Sequence, residues 1–166
     1  MHAAKEIRQL LAIIDQAYNR TSWHGTNLRG SIRRVTVHQA AWRPDSRRHN
    51  IWEIVVHAAY WKYIVWRRLT GSHRGSFSLK GSDWFLRPES TPVRDEDENS
   101  WKEDIALLDR WHSTLRDTVA KLRVYELHKE SKGNKRTNFF MISGIAAHDA
   151  YHAGQIQLLK KLWTQK

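Results

Sequence analysis

The feature that most constrains the fold is a set of long segments that carry apolar residues at helical spacing and contain no proline. The three prolines, at positions 44, 88 and 92, all lie outside these segments. Residues 3–20, residues 50–70, the segment that follows acidic residues 95–98, and a last segment from about 137 to 163 show the i, i+3, i+4 pattern of amphipathic helices. No comparable strand-like alternation and no internal repeat occurs. The sequence therefore predicts an all-α four-helix bundle, in a single domain over residues 1–166.

The connections between these four segments differ in character. A short extra helix is expected near the N-terminus, beginning after Thr26 as its cap and running to about Val37. Gly71 is a helix-stop residue, and residues 71–93 are rich in glycine, serine and proline, which predicts a long loop before the third core helix. A second polar loop, with Gly133 and Asn134, is expected over residues 129–136.

Composition and charge exclude several classes of function. The chain has no cysteine, which rules out disulfides, thiolate ligands and a cysteine nucleophile. The net charge of +11 favours anionic partners. However, the basic residues are scattered, often as doublets, and no nucleic-acid recognition motif is present, so nucleic acid is not an expected partner. No secretion signal or membrane span is visible, and we expect a cytoplasmic protein without a membrane partner.

Three histidines occupy positions where helical periodicity places core residues. His148 and His152 are four residues apart in the last helix, about 40° apart on a helical wheel, and His57 lies on the apolar side of the second core helix. Burying three imidazoles without partners is unfavourable by about 1–3 kcal/mol for each unsatisfied group. A divalent metal removes this cost, and three histidine ligands leave at least one coordination position open. The spacing therefore predicts a metal site at His57, His148 and His152.

Two other interpretations fit part of the pattern. Each histidine can be an ordinary core residue that bonds a backbone or hydroxyl group. The last helix also invites comparison with the HExxH helix of zinc peptidases. Here Asp149 replaces the usual glutamate, and no further ligand residue follows His152, so a peptidase is not expected.

Several other polar and aromatic residues are candidates for roles around the metal. Glu53 lies one turn before His57 and can accept its ring N–H. His112 interrupts the apolar stripe of the third core helix and is a candidate proton shuttle or a core histidine. Trp84, in the long loop, either covers the site or anchors the loop. The remaining candidates for pocket or ligand-supporting roles are Asp149, Gln155, Tyr60, Tyr151 and, before the second helix, His24.

Three segments together resemble the DinB superfamily of metal-binding four-helix bundles. They are the Trp-His-Gly of residues 23–25, the stretch NIWEIVVH at 50–57 with Trp61 after it, and HDAYHAGQ at 148–155. The Leu-Thr-Gly of 69–71 and the Asp-Trp of 83–84 extend the resemblance over nearly the whole chain. It implies a divalent metal, zinc or nickel, bound at positions that fall on His57, His148 and His152.

The resemblance also implies a class of reaction. The best-understood members resemble thiol-dependent transferases and isomerases that use bacillithiol, mycothiol or a related low-molecular-weight thiol. We therefore expect a metal-dependent S-transferase with a small-molecule substrate, in which a metal-activated thiolate attacks an electrophile. The alternatives are a metal-dependent hydrolase with metal-activated water and a bundle that binds metal or ligand without turnover. Bundles of this kind also resemble proteins that form homodimers.

Overall fold

Helices dominate the computed structural model, which describes residues 4–72, 76–89, 92–130 and 135–165. Among these residues there is no β-strand, only an isolated bridge between Glu130 and Thr137. The predicted Gly133 and Asn134 lie outside the described residues, as do parts of the long loop. The α-helices are α1 Lys5–Tyr18, α2 Leu28–Ser31, α3 Val37–Ala41, α4 Ile51–Thr70, α5 Glu98–Ala120 and α6 Asn138–Trp163, and the 3₁₀ turns are η1 Asp95–Asp97 and η2 Val124–His128.

Helices α1, α4, α5 and α6 pack as a four-helix bundle. Helix α4 lies against α5 and α6, and α1 completes the ring by contacting both α5 and α6. The predicted all-α bundle is thus confirmed, with helix boundaries close to those that periodicity indicated. The three histidines predicted as metal ligands come from α4 and α6, which are direct neighbours in this ring.

Local signals fix the ends of the two helices that carry these histidines. The Asn50 side chain accepts a hydrogen bond from the Glu53 backbone N–H and caps α4, while Gly71 ends it with a φ of 62°. That left-handed conformation favours glycine. Thr137 caps α6 by accepting from the Phe140 backbone N–H. These caps satisfy N-terminal backbone N–H groups and set the residue at which each helix begins.

The predicted short helix near the N-terminus is present, but it is shorter than the expected span from Thr26 to about Val37. It is α2, which ends at Ser31, and its N-cap is Asn27 and not Thr26; the Asn27 side chain accepts from the Gly30 backbone N–H. A second short helix, α3, begins at Val37, where the predicted helix was expected to end. Thr36 caps the second. Between them Arg34 adopts a φ of 63°, a left-handed conformation that interrupts the helix.

The core is apolar and aromatic, as the periodicity predicts. In α5 the stripe residues Trp101, Leu108, Leu115 and Val119 are buried, whereas Leu122 lies beyond the end of the helix. No helix within the described ranges combines the length and apolar character needed to cross a bilayer.

Candidate metal centre

The three predicted histidines meet between α4 and α6. Nε2 of His148 lies 3.1 Å from Nε2 of His57 and 3.1 Å from Nε2 of His152. One nitrogen from each ring falls within 4.8 Å of the other two, and this is the only group of three such donor residues within the described parts of the chain. His57 and His152 are buried, and His148 is half-buried. Helical spacing thus brings together three nitrogen donors from two helices.

A backbone carbonyl of the long loop orients His57. Nδ1 of His57 lies 2.8 Å from the carbonyl oxygen of Asp83, which can only accept, so the ring carries its proton on Nδ1. Asp83 has a φ of 65°, and its carboxylate accepts a hydrogen bond of 2.8 Å from Trp61 Nε1. The Trp61 bond therefore helps to hold Asp83 in a conformation that aims its carbonyl at His57. Nε2 of His57 is left with its lone pair facing the other two rings.

An amide on the same helix orients His152 in the same way. Nδ1 of His152 donates to Oε1 of Gln155 over 2.6 Å, and Nε2 of Gln155 donates to the Tyr151 hydroxyl over 3.0 Å. The proton of His152 therefore sits on Nδ1, and its Nε2 lone pair also faces the shared centre. Gln155, predicted near the site, thus orients His152, and Tyr151, also predicted there, accepts a hydrogen bond from Gln155.

His148 is the member with an unsatisfied atom. Its Nδ1 is buried and has no hydrogen-bond partner within the described residues. Burial, followed by the neighbouring His152 and His57, lowers the pKa of His148 to about 3, and burial lowers the pKa of His152 to about 4. Burial also lowers the pKa of His57. All three rings are therefore neutral near pH 7, the protonation state that binds metal.

The donor set fits a divalent metal ion. Ligand nitrogens at the usual zinc distance of about 2.0–2.1 Å in a tetrahedral arrangement are separated by about 3.3 Å, close to the observed 3.1 Å. Two of the three lone pairs are directed inward by outer hydrogen bonds, the arrangement that metal-binding histidines usually show. Without a cation, the inward lone pairs of His57 and His152 compete for one possible N–H of His148.

Trp84 covers the His57 side of the centre. Its ring stacks on His57 at a centroid distance of 3.8 Å and, on the opposite face, on His49 at 3.5 Å. Two roles were predicted for Trp84, covering the site and anchoring the long loop, and the stack fits both. Sequence reasoning missed His49 and Asp83. The Asp-Trp pair of residues 83–84 was the only signal for Asp83, and nothing in the sequence links His49 to His57.

The expected roles of the two nearby carboxylates need correction. Glu53 does not accept from His57; its oxygens bond Arg43, at 2.5 and 2.8 Å, and His49 at 2.9 Å. Burial raises the pKa of Glu53, but these hydrogen bonds outweigh burial and the net pKa is lowered. Asp149 forms a buried ion pair with Lys62, on a different side of α6 from His148. Adjacent residues of a helix point about 100° apart, which explains why Asp149 does not reach the site.

Three other candidates lie away from the centre. Tyr60 contacts the aromatic rings of Tyr63, Phe77 and Phe85 and is a packing residue. His112 is buried and stacks on Tyr18 at 3.6 Å. His24 is exposed in the loop before α2 and makes no contact with the histidine group. None of these three supplies a donor atom to the metal centre.

A cavity of about 690 Å³ opens beside the centre. His152, Gln155 and Trp84 form the wall that it shares with the metal centre. Its other lining residues come from the loop before α4, from α4 and from α6. They are Pro44, Asp45, Arg47, Arg48, His49, Ile54, Tyr151, Leu158, Leu159 and Leu162. The volume is within the usual range for small-molecule sites.

Comparison with protein families places the chain in a known superfamily. The family model described as DinB superfamily matches residues 20–156, which include all three histidines and most of the bundle. No curated protein and no solved structure matches the chain.

Proposed function

This chain belongs to the DinB superfamily, and on that basis we propose that it is a metal-dependent S-transferase that uses a low-molecular-weight thiol. A divalent ion, zinc or nickel, would be held by Nε2 of His57, His148 and His152. When bound, such an ion supplies the Lewis acidity that ionises a coordinating thiol.

One observation carries the proposal. Three neutral imidazole nitrogens converge within 4.8 Å of one another beside a cavity large enough for a small molecule. A structural zinc site is usually closed by four protein ligands, whereas three ligands and an adjacent cavity are typical of a reactive site. We infer that the fourth position serves a ligand that enters from the cavity.

The surrounding carboxylates favour a thiol over water as the nucleophile. A metal-dependent hydrolase needs a group that moves a proton from water. The two carboxylates on the histidine-bearing helices are already engaged, since Glu53 bonds Arg43 and Asp149 bonds Lys62. A thiol ionised by the metal would release its proton to solvent before it attacks, so the attacking thiolate does not depend on such a base. The chain has no cysteine, so the sulfur would come from the second substrate.

In this proposal the chain's own residues orient the ligand histidines and shield the metal centre from water. The Asp83 carbonyl and the Gln155 amide hold the Nδ1 protons of His57 and His152, which fixes the direction of each Nε2 lone pair. Trp84, stacked on His57, covers one side of the centre and restricts access of water. The apolar wall of the cavity gives an electrophile a hydrophobic surface on which to bind.

The test combines metal analysis with two activity assays. The purified protein is loaded with Zn²⁺ or Ni²⁺, dialysed and analysed for metal, and we expect one ion per chain. His148→Ala should reduce the metal to background, whereas His24→Ala, the same change at an exposed histidine, should leave it unchanged. Conjugation of a panel of low-molecular-weight thiols to 1-chloro-2,4-dinitrobenzene is then compared with hydrolysis of 4-nitrophenyl acetate.

The outcomes separate the hypotheses. Thiol conjugation that requires metal and is absent in His148→Ala supports the S-transferase. Stoichiometric metal retained by His148→Ala refutes the metal assignment. Metal-dependent ester hydrolysis without thiol conjugation would replace the proposal with a hydrolase, and bound metal without either activity would indicate a non-catalytic bundle.

A further inference from the structure

The cavity beside the metal centre has two chemically distinct walls. One wall is apolar and includes Ile54, Leu158, Leu159 and Leu162. Leu158 is 58% exposed and Leu162 is 36% exposed, although both are large apolar residues. An apolar wall that stays open to solvent beside a donor cluster is a typical binding surface for the hydrocarbon part of a ligand.

Another part of the cavity wall is basic. It is formed by the loop before α4 and carries Arg47 and Arg48. Asp45, the one acidic residue of the lining, accepts from the Arg47 backbone N–H over 2.8 Å and from its Nε over 3.3 Å. These bonds fix the loop and use part of the Arg47 guanidinium. The side chain of Arg48 makes no hydrogen bond within the described residues, and two arginines against one aspartate leave this wall positive.

A ligand that suits both walls is an organic anion with an apolar body. We propose that the cavity binds a small molecule whose carboxylate or phosphate pairs with Arg47 and Arg48 while its hydrocarbon part lies on the leucines of α6. The inference rests on the proposed function, because it names the class of substrate that reaches the metal centre. A neutral or cationic molecule of the same length lacks a partner for the basic wall.

The experiment uses three probes with the same chain length. Octanoate, octyl phosphate and octan-1-ol are titrated into the metal-free protein and into the Zn²⁺-loaded protein, with binding followed by isothermal titration calorimetry. We expect both anions to bind at least about tenfold more tightly than the alcohol. The double variant R47Q/R48Q should lose that difference. The control R110Q/K121Q removes the same charge from two exposed residues that do not line the cavity, Arg110 in α5 and Lys121 at its C-cap, and should behave as wild type.

A second variant tests the apolar wall. Leu158→Asp places a negative charge at an exposed position, so it should leave the fold intact while weakening all three probes. The carboxylate and the phosphate arms show which anion the basic wall prefers. Equal binding of octanoate, octyl phosphate and octanol to the wild-type protein overturns the inference, as does unchanged anion binding in R47Q/R48Q.

The metal-free arm separates this inference from the proposed function. Selective anion binding that persists without metal supports the inference, even if the metal analysis refutes the centre. If anions bind only after Zn²⁺ is added and binding does not respond to R47Q/R48Q, the anion is a metal ligand and the basic wall is not its site. That result overturns the inference and leaves the proposed metal centre intact.

Discussion

Helices α4 and α6 contribute to two buried polar clusters, one of neutral side chains and one that contains an ion pair. The metal centre holds three neutral imidazoles. The second cluster, which we call the lysine cluster, comprises Tyr18, Lys62, His112 and Asp149. Lys62 and Asp149 form an ion pair in which each side chain is 1% exposed, the Lys62 ammonium lies 5.0 Å from the centre of the Tyr18 ring, and Tyr18 stacks on His112.

The difference shows what each cluster requires from outside the chain. The lysine cluster contains its own cation and anion, and the bundle core encloses it. Burial lowers the pKa of Lys62 and raises that of Asp149, while each charge opposes the shift of the other. The metal centre has three donors and no cation of its own, and it borders a cavity. Two adjacent residues of α6 therefore have different roles. His148 belongs to the candidate metal centre, and Asp149 belongs to a structural ion pair.

The strongest test of this comparison is the loss of one partner of the buried ion pair. Lys62→Met leaves Asp149 buried without its cation and should lower the free energy of unfolding by about 3–5 kcal/mol. Urea unfolding measures the change. The control Lys102→Met breaks the exposed pair with Glu98, which spans 3.5 Å, and should cost less than about 1 kcal/mol. The double variant Lys62→Met/Asp149→Leu should recover much of the lost stability; a Lys62→Met cost as small as that of the control would contradict the structural role.

A second prediction concerns the stability that metal adds. Zn²⁺ at about 100 times its dissociation constant should raise the free energy of unfolding by about 2.7 kcal/mol, because the ion binds the folded state. His152→Ala should abolish this gain, whereas Lys62→Met/Asp149→Leu should keep it. Thermal unfolding with and without Zn²⁺ measures both. A gain that depends on the lysine cluster and persists in His152→Ala would reverse the assignment of the two clusters.

The sequence predicts the grouping of the three histidines better than it predicts the lysine cluster, for a physical reason. Periodicity indicates which side of a helix is buried, so His57, His148 and His152 were identified together. It does not indicate which buried residue contacts which, and the pairing of Lys62 with Asp149 depends on the rotation of α4 against α6. Asp83 acts through its backbone carbonyl, which any residue type possesses, so no side-chain pattern marks it.

The same limit explains the boundaries of the helices. Caps such as Asn50 and the glycine at 71 have local chemistry and can be read directly. The interruption between α2 and α3 depends on a left-handed arginine, Arg34, which has no such local signal because arginine does not favour that conformation. The early end of α2 at Ser31 therefore could not be predicted from periodicity.

A third prediction uses pH to examine the lysine cluster. Burial, then the charges of Lys62 and Arg116, lowers the pKa of His112 to about 3. A histidine in the unfolded chain titrates near about 6.5. Stability from neutral His112 is therefore complete above that pH and falls as the pH drops toward 3. Between pH 7 and pH 5 the loss should be about 2 kcal/mol, and His112→Phe should remove this part of the pH dependence.

The measurement is urea unfolding at pH 7, 6 and 5 in the presence of a chelator, so that metal binding does not contribute. His128→Phe is the control, because His128 is exposed at the end of η2, and it should keep the wild-type pH dependence. If His112→Phe loses as much stability between pH 7 and pH 5 as the wild type, His112 is not held neutral by its surroundings.

The smallest expected effect tests whether Gln155 supports the metal centre or only packs on α6. Gln155 accepts the Nδ1 proton of His152, and this bond directs the opposite nitrogen toward the shared centre. Losing such an outer bond typically weakens metal binding 10–100-fold. Because the acceptor here is an amide and not a carboxylate, we expect the loss of zinc affinity in Gln155→Met to lie at the lower limit, about tenfold or 1.4 kcal/mol.

The control is Gln157→Met, the same change two residues further along the helix, which should bind zinc as the wild type does. Competition with a zinc-chelating dye measures both affinities. Equal zinc affinities for the two variants would mean that packing of α6 alone directs the His152 lone pair. The orientation of the metal ligands would then depend on the protein core, as the lysine cluster does, and not on an outer hydrogen bond.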